Sequence, residues 1–429
     1  MTTFERFERS IPELMTELAP ARVPDYFDDM LQQTEGATQR PAWSFPERWL
    51  PVEITARPLA MRSFPWRPVL ILALVALLVA ATVAVYVGSQ SRIPPPFGPA
   101  GNGVLMYRGA DGAIVSLDPK SSAQATVVSA ADAGIADPVP SRDGRRIALA
   151  TFGAAGSAPI VITDIGGANR VTLAGVYREV DDLDWSPDDS HLAVVSNVGG
   201  RRSITVVASD GSDARPLSLV GDVFQVSYLA DGRLAAMAAE RPGDVCPAED
   251  PSDKGCALVL MNSDATGLDT LVSADDFHGI NVISPSPDGK TIVYVEWSQP
   301  ALPGRLRVLD LATRTASLFP LDSFPWDFSI NRAWFSPDGK SILFDLFETD
   351  GDHWAVIPTA GGPIVRLGQK WPQNGTDAAW APDGKSVLVR YPTSDTTSAL
   401  WLLDATGSGS DRQLQADVPY LPEWQRVAP

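Results

Sequence analysis

The chain has 429 residues and a formal net charge of −18. Asp and Glu outnumber Lys and Arg by 42 to 26 beyond residue 68, against 10 to 8 before it. Such an excess of negative charge argues against nucleic acid or anionic lipid as a partner of the large C-terminal part, since both are held by clustered Lys and Arg.

Residues 1–68 are Pro-rich and too few to bury a substantial core. Ser10-Ile-Pro-Glu13 fits a capping box opening a helix with Leu14, Met15 and Leu18 on one side. A second helix is expected from Pro24, carries Phe27, Met30 and Leu31 at helical spacing, and ends near Gly36. Trp43, Phe45 and Trp49 follow among prolines. The segment reads either as a docking element for a cytoplasmic partner or as a mini-domain whose apolar residues pack together or lie on lipid.

Residues 69–87 contain no charge, Pro or Gly. As a helix rising about 1.5 Å per residue, this run spans roughly 28 Å, close to a hydrocarbon core. Trp66 and Tyr86 sit at interfacial positions. A cleaved signal peptide fits poorly, because the preceding stretch far exceeds a normal n-region and no small-x-small site follows. Arg57, Arg62 and Arg67 lie on its N-terminal side and only Arg92 lies close on the other. The expectation is a single-pass membrane anchor with the N-terminus cytoplasmic and the rest extracytoplasmic. A linker over 88–102, stiffened by Pro94-Pro-Pro96, leads out of it.

From residue 103 to 427 one phrase recurs: Ser141-Arg-Asp-Gly144, Ser186-Pro-Asp-Asp189, Ala230-Asp-Gly232, Ser286-Pro-Asp-Gly289, Ser336-Pro-Asp-Gly339 and Ala381-Pro-Asp-Gly384. Pro presets one turn angle, Asp bonds its own backbone and Gly accepts positive φ, so each copy reads as a tight turn between strands. A second set of apolar runs interleaves with the turns and begins at Ile114, Ile160, Ile204, Leu258, Leu306, Trp354 and Leu400. One period then holds four short strands, the content of a propeller blade. Seven such runs against six turns imply a blade shared between the chain ends. Val104-Leu-Met-Tyr107 supplies a second strand and Val418–Trp424 the missing first strand. The fold class expected is an all-β seven-bladed propeller, with six blades as the alternative.

Trp185-Ser-Pro-Asp188, Phe335-Ser-Pro-Asp-Gly-Lys340 and Trp380-Ala-Pro-Asp-Gly-Lys385 resemble the WD40-like, TolB-type propeller repeat. The resemblance covers roughly 101–427 and implies a fold rather than an activity. The layout of short cytoplasmic segment, one helix and outer propeller is also similar to membrane-bound regulators of the anti-sigma-factor type. Their common zinc module needs His and Cys ligands, and residues 1–190 contain neither. The resemblance therefore implies regulation by architecture alone.

Enzyme signatures are absent: no Gly-x-Ser-x-Gly elbow, P-loop or His-Glu-x-x-His occurs. His191, His278 and His353 stand far apart without ligand partners at metal spacing, and Asp350-Gly-Asp352 reads as a hairpin turn, so no metal or cofactor is expected. Cys246 and Cys256 bracket a loop and are expected to form a disulfide in an oxidising compartment. Strand alternation puts the Asp–Gly turns on one face and the inter-blade loops on the other. Those loops carry Tyr177, Arg178, Phe224, Phe277, His278, Trp326, Asp327, Trp371, Asn374 and Tyr420, the candidate binding rim. For each aromatic the competing reading is a wedge between blades. The function expected is an extracytoplasmic sensing or scaffold module that binds an unidentified protein, peptide or glycan, without catalysis. The alternatives are a hydrolase-type propeller enzyme with an axial site and a purely structural envelope scaffold.

Overall fold

The computed structural model describes residues 66–89, 93–131, 138–151, 157–175, 177–242, 244, 246, 255–274, 278–298, 302–321, 329–348, 351–368, 377–394 and 398–428. Its strands form seven four-stranded antiparallel sheets, so the propeller has seven blades and the six-bladed alternative is excluded. Numbered along the chain, the innermost strands are Val139–Pro140, Val180–Trp185, Val223–Tyr228, His278–Pro285, Ala333–Phe335 and Asp377–Trp380 for blades 1 to 6. Blade 7 closes the ring with Glu423–Val427 innermost, followed outward by Gly101–Arg108, Ile114–Leu117 and Gln124–Val128. Leu105 pairs with Trp424 and Gly101 with Val427, so the two chain ends share one sheet as expected.

The core is a ring of seven apolar clusters, each filled from two neighbouring blades. Side chains alternate across each sheet: Ile147 and Leu149 face blade 7 while Ala148 faces blade 2. Both faces of a blade are thus covered, which is why the second and third strands read as continuous apolar runs.

The repeated turns are nearly superimposable in their bonding. Gly144, Gly232, Gly289, Gly339 and Gly384 have φ between 67° and 85°, and each donates its N–H to the carbonyl three residues back at 2.8–3.0 Å. Positive φ at that fourth position makes the chain bulge into the next strand, a conformation open to Gly and to Asn or Asp. At Gly144 a side chain is also excluded by space, since an added Cβ would lie 1.7 Å from the Arg426 carbonyl oxygen. Asp189 occupies the same position in blade 2 with φ 57°. Its carboxylate accepts the N–H groups of Arg142 and Asp143, both at 2.8 Å, and stitches the turns of blades 1 and 2 together.

The apolar run ahead of the propeller forms the helix Trp66–Ser89, and Leu70, Leu72 and Leu77 are 64%, 69% and 69% exposed. Thr82 returns its hydroxyl to the Leu78 carbonyl at 2.7 Å, so its polar group is satisfied within the helix. The side chains described in this helix are Trp66 and Pro68–Thr82; among the described residues no helix is long and apolar enough to cross a membrane. The two helices expected within residues 1–68 lie outside the described residues.

Candidate functional site: the axial cavity

An innermost propeller strand has one edge without a strand partner, and its backbone groups need other partners. Here polar side chains of neighbouring blades supply them. Asp182 accepts from the Val226 N–H and Asp184 from the Tyr228 N–H, at 2.8 and 2.7 Å. Gln225 accepts the Ile283 N–H at 3.0 Å and donates to the Ile283 carbonyl at 3.1 Å. Asn281 donates to the Asn331 carbonyl at 3.0 Å and the Phe335 N–H reaches Ser284, while Gln425 donates to the Gly144 carbonyl of the blade 1 turn at 2.7 Å. Register shifts between Val180 and Asp182 and between Val223 and Gln225 accompany these bridges. Burial pushes the Asp182 carboxyl up to about 7, helped by the neighbouring charge of Asp184. Asp184 is raised too, by burial, against the pull of Arg142, which grips it with two bonds of 2.7 and 2.8 Å.

The channel has two unlike ends. At the Asp–Gly end, residues 93–100 lie against the turns of several blades. Arg426 donates to the carbonyls of Pro95 and Gly98 at 2.9 and 2.7 Å, and Phe97 lies 4.2 Å from the Arg142 guanidinium. Ala100 donates to the Pro382 carbonyl at 2.8 Å, and the Pro337 carbonyl lies 3.9 Å from where a Cβ on Gly98 would be. This strap thus touches the contiguous blades 5, 6, 7 and 1. Burial, and then the charge of Arg142, lower the Arg426 pKa to about 10.

A cavity of about 540 Å³ runs along the innermost strands, from Tyr420, Glu423, Arg332 and Asp377 at the other end to Ser284, Trp334 and Trp380 beside the Asp–Gly turns. Its wall is fixed by a chain of ion pairs. Arg332 donates to the buried Asp345 at 3.0 Å and to Asp377 at 2.9 Å, and Arg390 donates to Asp377 at 2.7 Å. Arg390 also bonds the Pro419 carbonyl at 2.9 Å, which sets the loop carrying Tyr420. Trp334 stacks on Trp354 with centroids 5.7 Å apart, and the Arg332 guanidinium lies 4.9 Å from the Trp354 ring. Arg and Asp are thus paired with each other, and the cavity presents an aromatic wall and hydrogen-bonding edges rather than a naked charge.

The expected rim divides into three groups. Tyr420 is 46% exposed at the cavity mouth, and Arg178 is exposed on the same end of the propeller. Tyr177, by contrast, is 1% exposed and belongs to the core between blades 1 and 2. Its hydroxyl donates to the Ala174 carbonyl at 2.5 Å, and burial pushes the phenol up to about 12. Phe224 is half-buried under the Arg202 guanidinium, 5.4 Å from its ring, and packs on the core between blades 3 and 4. Tyr177 is thus a wedge between blades, whereas Phe224 packs on the core and keeps part of its surface exposed. Phe277, Trp326, Asp327, Trp371 and Asn374, with the side chain of His278, lie outside the described residues. Cys246 and Cys256 form the expected disulfide at the open end, where Arg202 holds both Asp222 and the Cys246 carbonyl. Among the described residues no three His, Cys, Asp or Glu side chains are grouped to hold a metal.

The architecture is a seven-bladed β-propeller. No family model matches the chain, and no curated protein matches it. Among solved structures, a puromycin-hydrolyzing peptidase of Mycobacterium tuberculosis is similar at TM-score 0.57 and 13% identity, over 77% of this chain and 58% of that one. The β-propeller domain of the Trilobed protease from Pyrococcus furiosus is similar at TM-score 0.52 and 14% identity, over 76% of this chain and 97% of that domain. TolB from Acinetobacter baumannii is 16% identical at TM-score 0.45, over 66% of this chain and 64% of TolB. At these identities the likeness is one of fold. The P. furiosus domain has an open velcro topology, whereas here the first and last strands of the ring are hydrogen-bonded in blade 7.

Proposed function

We propose that the chain is a single-pass membrane protein whose residues 1–68 are cytoplasmic and whose propeller, outside the membrane, binds a peptide, glycan or envelope protein in the axial cavity. The observation that carries this reading is the asymmetry of the channel. The strap lies against the turns of blades 5, 6, 7 and 1 at one end, and the aromatic cavity of about 540 Å³ reaches Tyr420 at the other. In sequence the strap, residues 93–100, comes after the apolar helix Trp66–Ser89. The helix supports the anchor by its large exposed apolar side chains, which water would not leave unpartnered. In this reading the cavity is a recognition site, with no catalytic step and no cofactor.

Two experiments test it. In spheroplasts, external protease is expected to degrade the propeller and to leave a tag at residue 1 intact; the reverse pattern contradicts the topology. Tyr420→Ala is expected to weaken ligand retention about tenfold without lowering thermal stability, as for an exposed aromatic anchor. Unchanged retention removes the cavity mouth as the site.

A further inference from the structure

One of the six turns lacks a residue that the others share. Two positions after the turn aspartate stand Arg145, Arg233, Lys290, Lys340 and Lys385, but in blade 2 the residue is Ser190. In three of these five turns the basic residue pairs with its own aspartate: Arg233 lies 2.8 Å from Asp231, Lys290 3.5 Å from Asp288 and Lys340 3.7 Å from Asp338. In blade 2, Asp188 collects three hydrogen bonds on Oδ1, from the Ser186 hydroxyl and from the N–H and hydroxyl of Ser190, at 2.6–3.1 Å. No ion pair is made to its Oδ2 among the described residues. The Ser190 hydroxyl above all holds this carboxyl down at about 2, so it carries its charge at every physiological pH.

This carboxylate borders a cleft of about 520 Å³ between blades 2 and 3, whose wall also includes Pro187, Val206, Ser263 and Tyr228. Two other acids there are already matched, Asp231 by Arg233 and Asp213 loosely by Arg215 at 3.8 Å. Tyr228 is 2% exposed, and its hydroxyl has no hydrogen-bond partner in the protein. The tryptophans at the same place in blades 2 and 6 are satisfied: Trp185 donates to the Val139 carbonyl and Trp380 to the Trp334 carbonyl, at 3.1 and 3.3 Å. A buried phenol without a partner is costly, and the exposed Asp188 carboxylate lines the same cleft.

We propose that this cleft binds an alkylammonium group, with Asp188 Oδ2 taking the charge that Lys supplies in other turns and the Tyr228 hydroxyl completing the hydrogen bonding. Val206 and Pro187 supply apolar surface for the alkyl chain. The group would come from a free diamine or from a lysine side chain of another protein. The site is separate from the axial cavity and does not depend on it.

The test is calorimetric titration of the full chain in detergent micelles with 1,5-diaminopentane and, separately, with N-acetyl-lysine amide. Saturable binding of either, with none of 1,5-pentanediol, is expected; the tighter of the two identifies the source. Ser190→Lys rebuilds a turn that the chain already folds elsewhere and places its own ammonium at Asp188, so affinity should fall about tenfold or more, as for loss of a charge-assisted bond. Asp188→Asn should do the same, Tyr228→Phe should cost roughly threefold to tenfold, and Asp310→Asn, in a distant turn, should change nothing. The proposal is overturned if the unaltered chain binds neither amine saturably, or if Ser190→Lys and Asp188→Asn bind as tightly as the parent.

Discussion

At the Asp–Gly end of the propeller six turns repeat one set of hydrogen bonds, and the strap lies against the turns of blades 5, 6, 7 and 1. At the opposite end every loop has its own sequence, a disulfide and an ion-pair chain hold the loops individually, and the cavity opens beside Tyr420. The repeated end uses local chemistry that any blade can supply. The unrepeated end uses contacts between residues far apart in sequence, which is where a particular ligand surface has to be built.

The largest expected effect breaks the unrepeated end. Asp345→Ala leaves Arg332 without its buried partner and should destabilise the fold by about 3–5 kcal/mol, measured by urea denaturation. A loss below about 1 kcal/mol would mean that the ion-pair chain does not hold that end. Next, Cys246→Ser with Cys256→Ser should cost about 3 kcal/mol, the scale for opening a short disulfide loop, and the same melting shift should follow reduction of the parent chain.

The channel wall lies between the two ends, and its effect is spread over pH. Asp182 has a folded pKa raised to about 7 by burial, so the folded state holds a proton that the unfolded state releases near pH 4. Its contribution is therefore fully present at low pH and is lost as pH rises from about 4 through about 7, with a slope of at most about 1.4 kcal/mol per pH unit. Stability of Asp182→Asn relative to the parent should increase across that window; a flat difference would show that the carboxyl is not buried as described. The smallest effect belongs to the strapped end: Phe97→Ala should cost about 1 kcal/mol, the scale of one cation–π contact, and should leave the open end unchanged.

The same division governs what could be read from sequence. The turns, the blade number and the closing strand were legible because each rests on spacing that the chain repeats. The Cys246–Cys256 pairing was legible because the two residues bracket one loop. Tyr177 was misassigned to the rim because an aromatic in an inter-blade loop looks the same whether it faces solvent or wedges between sheets; only the cross-blade packing separates the two. Asp182, Asp184 and Arg332 were missed, although polar residues interrupting innermost strands were a signal that those strands have an unpaired edge to satisfy. The strap was expected only as a linker, since nothing local announces that Arg142 and Arg426 converge on Phe97 and Gly98.

The account stands most directly on which end meets a ligand. A photoreactive residue placed at Tyr420, compared in living cells with one at Lys340 in the blade 5 turn, decides it. The account predicts a discrete cross-linked adduct from position 420 and none from 340. Adducts from 340 alone, or equally from both, would contradict it.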